Sequence, residues 1–275
     1  MISVIIPVYK NKKMFLANLK HNLRFIGKLQ IIVVNDNPEE NLTRAVKTIS
    51  PTITVINNPK NYGFGKSMNL GVQLAKHDYL LFLNSDVKLL DNRLEKALTM
   101  FKDPKLFALS FAQIEADNHI TGANAGHFKQ GLFQHYERHT STVSENLWPE
   151  GGASLLNRHL FLKLGGFDEI YSPFYWEDVD LGFRAKARSL HTLYYPLIKV
   201  QHCHQTTISK YFTPSEVKSI AFRNQFLFVW KNIRGLALLQ HLLWLPILII
   251  KNRQNREFKQ GLKAAFKRYL KQDEE

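Results

Sequence analysis

Short, nearly continuous apolar runs alternate with segments of helical periodicity along the first hundred residues. The runs are typical of strands that are buried on both faces. The segments between them place apolar residues at the three- and four-residue spacing of an amphipathic helix. The predicted strands are residues 2–8, 30–34, 52–56 and 79–83, and the predicted helices are 15–25, 42–49, 65–75 and 91–101. Asp91 is the predicted N-cap of the last helix.

Strands that alternate with helices pair in parallel through right-handed crossovers. The pattern therefore predicts an α/β fold with a mainly parallel central sheet that is flanked by helices. The polar region 107–147 is expected to form loops and antiparallel strands, and residues 193–200 another strand. We expect the α/β domain to span residues 1–210 and a basic, amphipathic helical extension to span 211–275.

The extension contains an apolar stretch over residues 236–250. It has fifteen residues and includes Pro246, whereas crossing a bilayer takes about 20 apolar residues. Lysine and arginine residues follow it closely. Such a segment suits an interfacial helix on an anionic membrane leaflet. The alternatives are a helical pair that closes the core and a homodimer interface.

The chain has 275 residues and a formal net charge of +14. A surplus of positive charge of this size attracts polyanions, phosphorylated substrates or anionic lipid. The alternative is a solvated basic surface that only aids solubility. Cys203 is the single cysteine of the sequence, which fits a reducing compartment. The N-terminal segment lacks the pattern of a secretory signal. We therefore expect a cytoplasmic protein with peripheral contact to the inner face of the membrane.

Two aspartates directly follow predicted buried strands, Asp36 and Asp86. Ligands of parallel sheets bind beyond the carboxyl ends of the strands. A carboxylate there can bind Mg²⁺ or Mn²⁺ and leave positions open for phosphate oxygens. The alternative is an aspartate that only forms the turn after a strand. His202 and His204 follow a later strand and could bind the same cation.

Three acidic residues lie beside an aromatic ring in the segment Trp176-Glu177-Asp178-Val179-Asp180. One carboxylate could act as a general base. The alternative is a capped helix in which Asp180 pairs with Arg184 four residues later. A further candidate is the loop that enters a helix and is framed by Asn61, Gly63, Gly65 and Asn69, where glycine permits a close approach of the backbone to a phosphate or ribose. The alternative is an ordinary loop, because the spacing is not that of a dinucleotide-binding motif.

Taken in order, eight segments resemble the family 2 glycosyltransferases, which have the GT-A fold with a Rossmann-like nucleotide half and an acceptor half. The segments are ISVIIPVY (2–9), VVNDN (33–37), NYGFGKSMNLG (61–71), FLNSDV (82–87), GGASLLNR (151–158), GGFDE (165–169), WEDVDLGFRA (176–185) and VQH (200–202). The resemblance covers about residues 1–205, so it leaves the helical extension out.

The resemblance implies a role for twelve residues. The nucleotide would be bound by Pro7, Tyr9, Asp36, Asn61, Lys66 and Asp86, and the metal ion by Asp86 and His202. The substrate pocket would be formed by Gly152, Ala153, Trp176 and Glu177. The catalytic base would be Asp178. The sequence departs from the family pattern at three places. Asn84-Ser85-Asp86 keeps one acid of an Asp-x-Asp-like motif, Asn35 replaces a common aspartate, and Ser189 replaces a common glycine.

The function that the resemblance implies is an inverting glycosyl transfer with Mg²⁺ or Mn²⁺ as cofactor. The donor would be a UDP- or dTDP-linked hexose or deoxyhexose, and the acceptor a hydroxyl of a glycan or of a lipid-linked molecule in bacterial-type cell-surface polysaccharide synthesis. The missing first acid leaves a non-catalytic sugar-nucleotide-binding module as an alternative. A nucleic-acid-binding protein is disfavoured because the sequence has no recognisable nucleic-acid module, and a nucleotidyltransferase because it has no Gly-rich triphosphate loop near the start.

Overall fold

The protein is described by a computed structural model that covers residues 1–202 and 208–272. The fold is α/β, as predicted. The strands are β1 (Ile2–Val8), β2 (Gln30–Asn35), β3 (Thr54–Asn57), β4 (Tyr79–Leu83), β5 (Val87–Leu89), β6 (Leu106–Ile114), β7 (Ile120–Thr121), β8 (Asn124–Lys129), β9 (Leu132–Glu137), β10 (Ser144–Asn146), β11 (Ala153–Asn157) and β12 (His191–His202). The helices are α1 (Lys12–Ile26), α2 (Thr43–Ile49), α3 (Phe64–Gln73), α4 (Leu94–Leu98), α5 (Arg158–Lys163), α6 (Glu177–Ala187), α7 (Ile208–Tyr211), α8 (Pro214–Asn232), α9 (Gly235–Lys251) and α10 (Arg256–Gln272).

The main sheet has the strand order β10-β12-β6-β11-β4-β1-β2-β3. The half that contains β1 to β4 is wholly parallel, and Ile5 of β1 pairs with both Ile32 and Phe82. β11 enters between β4 and β6 in the antiparallel direction, and β6 pairs in parallel with β12. The sheet is therefore mostly parallel, as expected for its alternating sequence pattern.

Helices cover both faces of the parallel half, which explains why its strands are nearly all apolar. Phe15 of α1 belongs to a buried cluster with Ile6 on one face. Met68 of α3 belongs to another cluster with Ile5 on the opposite face. Successive residues of β1 therefore enter different halves of the core, and no polar stripe is needed along the strand.

Two local expectations require correction. Asp91 is not an N-cap, because the helix begins at Leu94 and the Asp91 carboxylate accepts hydrogen bonds from the backbone of Arg93 and Lys199. The region 107–147 is also more than loops and antiparallel strands. It begins within β6, whose nine residues are nearly all buried in the centre of the sheet, and it continues into the β8–β9 hairpin.

The C-terminal helices pack on the half of the molecule that contains α6. Phe228 of α8 contacts the rings of Trp176 and Phe133, and α10 lies along α8. In the described part of the chain, no helix is both long and apolar enough to cross a membrane. The domain boundary after residue 210 stays a prediction.

Candidate active site

A cleft of about 710 Å³ opens at the edge of the sheet where β1, β2, β4 and β12 end. This is the edge at which parallel sheets bind ligands, and the volume suits a small molecule. Nine of the twelve residues predicted for the site line this cleft, namely Pro7, Tyr9, Asp36, Asn61, Asp86, Gly152, Glu177, Asp178 and His202.

Asp36, which lines the cleft, is held by a dense set of hydrogen bonds. Its Oδ1 accepts from the Asn58 amide at 2.9 Å and from the Tyr62 backbone N–H at 2.8 Å. Its Oδ2 accepts from the Gly63 backbone N–H at 2.8 Å. Burial raises the pKa of Asp36, and these hydrogen bonds only partly offset the rise. Asp36 thereby fixes the loop that carries Asn61.

Gly63 lets this loop lie directly against a distant segment. Its φ of 84° is in the left-handed region, and a Cβ there would come within 2.4 Å of the Ser172 Oγ. The next residue, Phe64, donates its backbone N–H to the Pro173 carbonyl at 2.9 Å. The glycine thus joins the loop that carries Asn61 to the segment that leads into α6.

Asp86 and His202, which both line the cleft, lie close to each other. Asp86 Oδ1 lies 3.3 Å from His202 Nε2, and Gln113 Oε1 lies 2.5 Å from the other ring nitrogen, Nδ1. Burial lowers the pKa of His202, but the hydrogen bond and the charge of Asp86 outweigh this effect and raise it. The imidazole is therefore held on both sides in a fixed orientation. His204 lies outside the described residues.

Glu177 and Asp178 begin α6 and line the same cleft. Tyr175 and Trp176, which precede them, both have positive φ, 70° and 77°, a conformation that such residues rarely adopt and that is common at functional sites. Burial, and then the charge of Asp178, raise the pKa of Glu177 well above its ordinary value. Burial and the charge of Glu150 raise the pKa of Asp178 to about 7. A carboxylate with this pKa can exchange protons at neutral pH.

The other residues that line the cleft include Glu150 and Asn84, for which no role is predicted from the sequence. Glu150 interacts electrostatically with both Asp178 and His202. The Asn84 side chain fills the space that a Cβ on Gly152 would occupy, so the glycine makes room for it. The sequence signal was present for both, because Glu150 directly precedes Gly151-Gly152 and Asn84 directly follows β4.

Three predicted residues are placed outside the lining of the cleft. Lys66 forms an exposed ion pair with Glu169 at 3.0 Å. Ala153 is buried as the first residue of β11. Trp176 is buried among aromatic rings that include Phe228 and His135. Ala153 and Trp176 therefore lie in the core, and their part in the substrate pocket stays a prediction.

The third acid of the segment, Asp180, forms the predicted ion pair with Arg184. This residue is fully buried, and its Oδ2 accepts from Arg184 Nε at 2.6 Å. Its Oδ1 accepts from the Tyr171 hydroxyl at 3.0 Å and from the Asn232 amide at 2.8 Å. Asp180 thus fastens α6 to α8, and the neighbouring Asp178 is the acid that lines the cleft.

The sequence profile of the family described as Glycosyl transferase family 2 matches residues 3–164, which is more than half of the chain. The protein belongs to this family. This family 2 glycosyl transferase is 28% identical over 213 residues to the Pre-mycofactocin glycosyltransferase of Mycobacterium tuberculosis (strain CDC 1551 / Oshkosh). The match covers 75% of the chain and 43% of that relative, so the chain spans less than half of the relative's length.

Two solved structures share the fold of this family 2 glycosyl transferase. GalNAc-T7, solved with UDP, GalNAc and Mn²⁺, superposes with a TM-score of 0.64 at 15% identity, over 84% of the chain and 47% of that structure. The mannosyltransferase PcManGT from Pyrobaculum calidifontis, solved with GDP-Man and Mn²⁺, superposes with a TM-score of 0.60 at 15% identity, over 96% of the chain and 73% of that structure. At these identities the likeness shows a GT-A-like fold.

Proposed function

We propose that this glycosyl transferase moves a sugar from a nucleoside diphosphate sugar to an acceptor hydroxyl with inversion at the anomeric carbon. The observation that carries the proposal is the sharing of one cleft by three groups of different chemistry. Asp36, the Asp86–His202 pair and Asp178 all line this cleft. We assign base recognition to Pro7, Tyr9 and Asp36, and the ribose to Asn61 and Asp86.

The residues around Asp86 fit a divalent cation. Two ligands at neighbouring positions of a metal ion with bonds of about 2.1 Å are about 3 Å apart, and the Asp86 and His202 atoms are separated by 3.3 Å. Gln113 orients the imidazole from behind, as an outer partner of a metal ligand does. Across residues 1–202 and 208–272, no group of three or more His, Cys, Asp or Glu side chains is arranged to hold a metal ion. The remaining ligands would be diphosphate oxygens and water, as is common for Mg²⁺ and Mn²⁺.

The chemistry follows from the position of Asp178. Its carboxylate takes the proton of the acceptor hydroxyl, whose oxygen attacks the anomeric carbon from the face opposite the diphosphate. The bond between the anomeric carbon and the diphosphate oxygen breaks, and the nucleoside diphosphate leaves. A bound cation would supply neutralisation of the charge on that leaving group. One displacement of this kind inverts the anomeric configuration.

We further propose UDP- or dTDP-linked hexoses or deoxyhexoses as donors and a glycan or lipid-linked molecule as acceptor, in the synthesis of a cell-surface polysaccharide. The solved structures with UDP and with GDP-Man support a nucleotide-sugar donor. The alternative is a non-catalytic sugar-nucleotide-binding module, which Asn84-Ser85-Asp86 suggests because it keeps a single acid.

Donor binding tests this proposal directly. A thermal-shift panel of nucleoside diphosphates and their sugars is expected to raise the Tm only for the cognate base, and more strongly with Mn²⁺ than with EDTA, because ligands stabilise the native state by mass action. Asp86→Asn should remove most of the increase in Tm that depends on Mn²⁺. Asp91→Asn, at a half-buried residue outside the lining of the cleft, is the matched control and should leave this increase intact. A panel without any nucleotide-dependent shift would refute the donor assignment.

A second element of the proposal is peripheral membrane contact through α9. Its inner face packs on the protein through His241, while Leu236 and Leu243 on its outer face are 85% and 67% exposed. The further exposed residues of α9 include Leu239, Leu242, Ile247 and Ile250. Exposed cations follow at Lys251, Arg253, Arg256, Lys259, Lys263 and Lys267. An anionic bilayer matches both features, whereas a second copy would bring the same positive charge.

Vesicle co-sedimentation tests the membrane contact. The protein is expected to bind vesicles of equimolar phosphatidylcholine and phosphatidylglycerol, but not vesicles of phosphatidylcholine alone. Leu239→Glu combined with Leu243→Glu should weaken the binding by about tenfold or more, since it places charge in the apolar face. Leu162→Glu, at an exposed leucine of α5, should not. The membrane assignment would be overturned if wild type and the double variant bound the vesicles equally well. It would also be overturned if the wild type were a dimer and the double variant a monomer.

A further inference from the structure

The C-terminal helix α8 reaches into the loop that precedes the proposed base. Asn224 has no exposed surface. Its Nδ2 donates to three backbone carbonyls of this loop, those of Tyr171 at 2.8 Å, Phe174 at 3.0 Å and Tyr175 at 2.8 Å. An amide NH₂ has two hydrogens, so the three carbonyls share them. One buried side chain therefore gathers both ends of the loop.

Two arginines hold the same loop from either side. Arg223 Nε donates to Asn224 Oδ1 at 2.9 Å, which fixes which way the amide points. An NH₂ group of Arg223 donates to the Ser172 carbonyl at 2.5 Å, and Arg268 of α10 donates to the same oxygen at 2.7 Å. Burial lowers the pKa of Arg223 to about 10, so it stays charged at neutral pH.

The loop needs such support because of its backbone. Tyr175 and Trp176 both hold positive φ, which costs conformational energy in residues other than glycine. The Tyr175 carbonyl, which Asn224 holds, is three residues before Asp178. Since α6 begins at Glu177, the position of this carbonyl helps to determine where the helix starts and where Asp178 points.

We infer that Asn224 is a positioning residue that aims the Asp178 carboxylate, with Arg223 and Arg268 as its supports. The inference rests on the proposed role of Asp178. It also gives the C-terminal helices, which lie beyond the family match, a part in the reaction. Residues that act through a backbone in this way change the rate more than the binding of substrate, because a shift of about 1 Å can cost a hundredfold in rate.

Kinetics of Asn224→Ala test the inference. The variant is expected to lower kcat by about tenfold to a hundredfold and to change the donor KM by less than about threefold. Its pH–rate profile should shift, because the surroundings of the Asp178 carboxylate change. Val229→Ala is the matched control. Val229 is buried on the same helix, so its truncation should lower the Tm while kcat and the pH profile stay at wild-type values.

A positioning role and a merely structural one give different results. Equal kcat and equal pH profiles for Asn224→Ala and Val229→Ala would overturn the inference. If Asn224→Ala does not fold, Arg223→Gln replaces it, and full kcat in that variant would overturn the inference as well. Donor binding, measured by thermal shift, distinguishes a failure of the positioning role from a failure of the proposed function. A protein that binds no nucleotide sugar refutes the function, whereas a variant that binds donor and turns over slowly supports the positioning role.

Discussion

Asp178→Asn is expected to lower kcat by about a hundredfold to ten-thousandfold, the usual contribution of a general base. Asparagine keeps the shape of the side chain but cannot take the proton of the acceptor hydroxyl. Donor affinity should change little, because the substitution leaves untouched the residues proposed to bind the donor, which are the loop of Asn61 and the Asp86–His202 pair. Turnover of the cognate donor and donor binding by thermal shift measure the two effects separately.

Glu177→Gln is the discriminating control for this assignment. Glu177 also lines the cleft, and its Oε2 is buried without a hydrogen-bond partner among the described residues. Burial and the charge of Asp178 raise the pKa of Glu177 well above its ordinary value, which favours the protonated, neutral form of this side chain. A neutral glutamine resembles that state, and we expect a loss of about tenfold or less. If Glu177→Gln lost as much activity as Asp178→Asn, the base would be assigned to the wrong carboxylate.

The pH profile gives an independent signature of the same base. Because burial and Glu150 raise the pKa of Asp178 to about 7, its deprotonated and active form dominates only above that pH. We expect kcat/KM to rise about tenfold per pH unit below pH 7 and to level off above it. A profile that stays flat from pH 5 to pH 9 would contradict the role of Asp178.

The free energy of unfolding should change with pH in the direction opposite to that of the activity. The pKa of Asp178 in the folded state lies above the ordinary aspartate value of 3.8, so the folded protein binds the extra proton between about pH 4 and pH 7. Its free energy of unfolding therefore decreases as the pH rises through this window. Asp178→Asn removes that loss and should be more stable than wild type by about 1 to 2 kcal/mol above pH 7, for a half-buried group. A gain in Tm at pH 8 would also show that the inactive variant is folded.

The sequence predicted those parts of the fold and site that depend on local pattern. β1 and β4 have the predicted ends, because buried strands between polar turns are continuous in sequence. Asp36 and Asp86 reach one cleft because the carboxyl ends of parallel strands share an edge of the sheet. Even the departure at Ser189 has a counterpart in the structure, since this residue holds a φ of 58° where glycine is common.

The remainder depends on contacts between residues that are distant in sequence. No local pattern shows that β11 separates β4 from β6, because strand order is decided by pairing across the whole domain. Asn224 carries no spacing that marks it. Its significance arises only when α8 and the segment before α6 pack together. Lys66 is a different case. The resemblance implies a place near the nucleotide, whereas its ammonium group pairs with Glu169 in the structure.

Asp180→Ala is expected to lower the free energy of unfolding by about 3 kcal/mol or more. Asp180 is fully buried and accepts three hydrogen bonds, from Tyr171, Arg184 and Asn232. Removal of one member of a buried ionic network typically costs 3–5 kcal/mol, because the partner charge is left behind without its counter-ion. For a chain of this size the Tm should fall by about 6 to 12 °C, which thermal or urea unfolding can measure.

The matched control for this effect is an ion pair of similar length on the surface. Lys66 and Glu169 are 3.0 Å apart, and both side chains are more than a third exposed. Exposed pairs contribute about 0 to 1 kcal/mol, so Lys66→Ala should change the free energy of unfolding by less than about 1 kcal/mol. If both variants lost the same small amount, Asp180 would not be the fastening between α6 and α8. Because that fastening lies two residues from Asp178, Asp180→Ala should also lower kcat at temperatures where the variant is still folded.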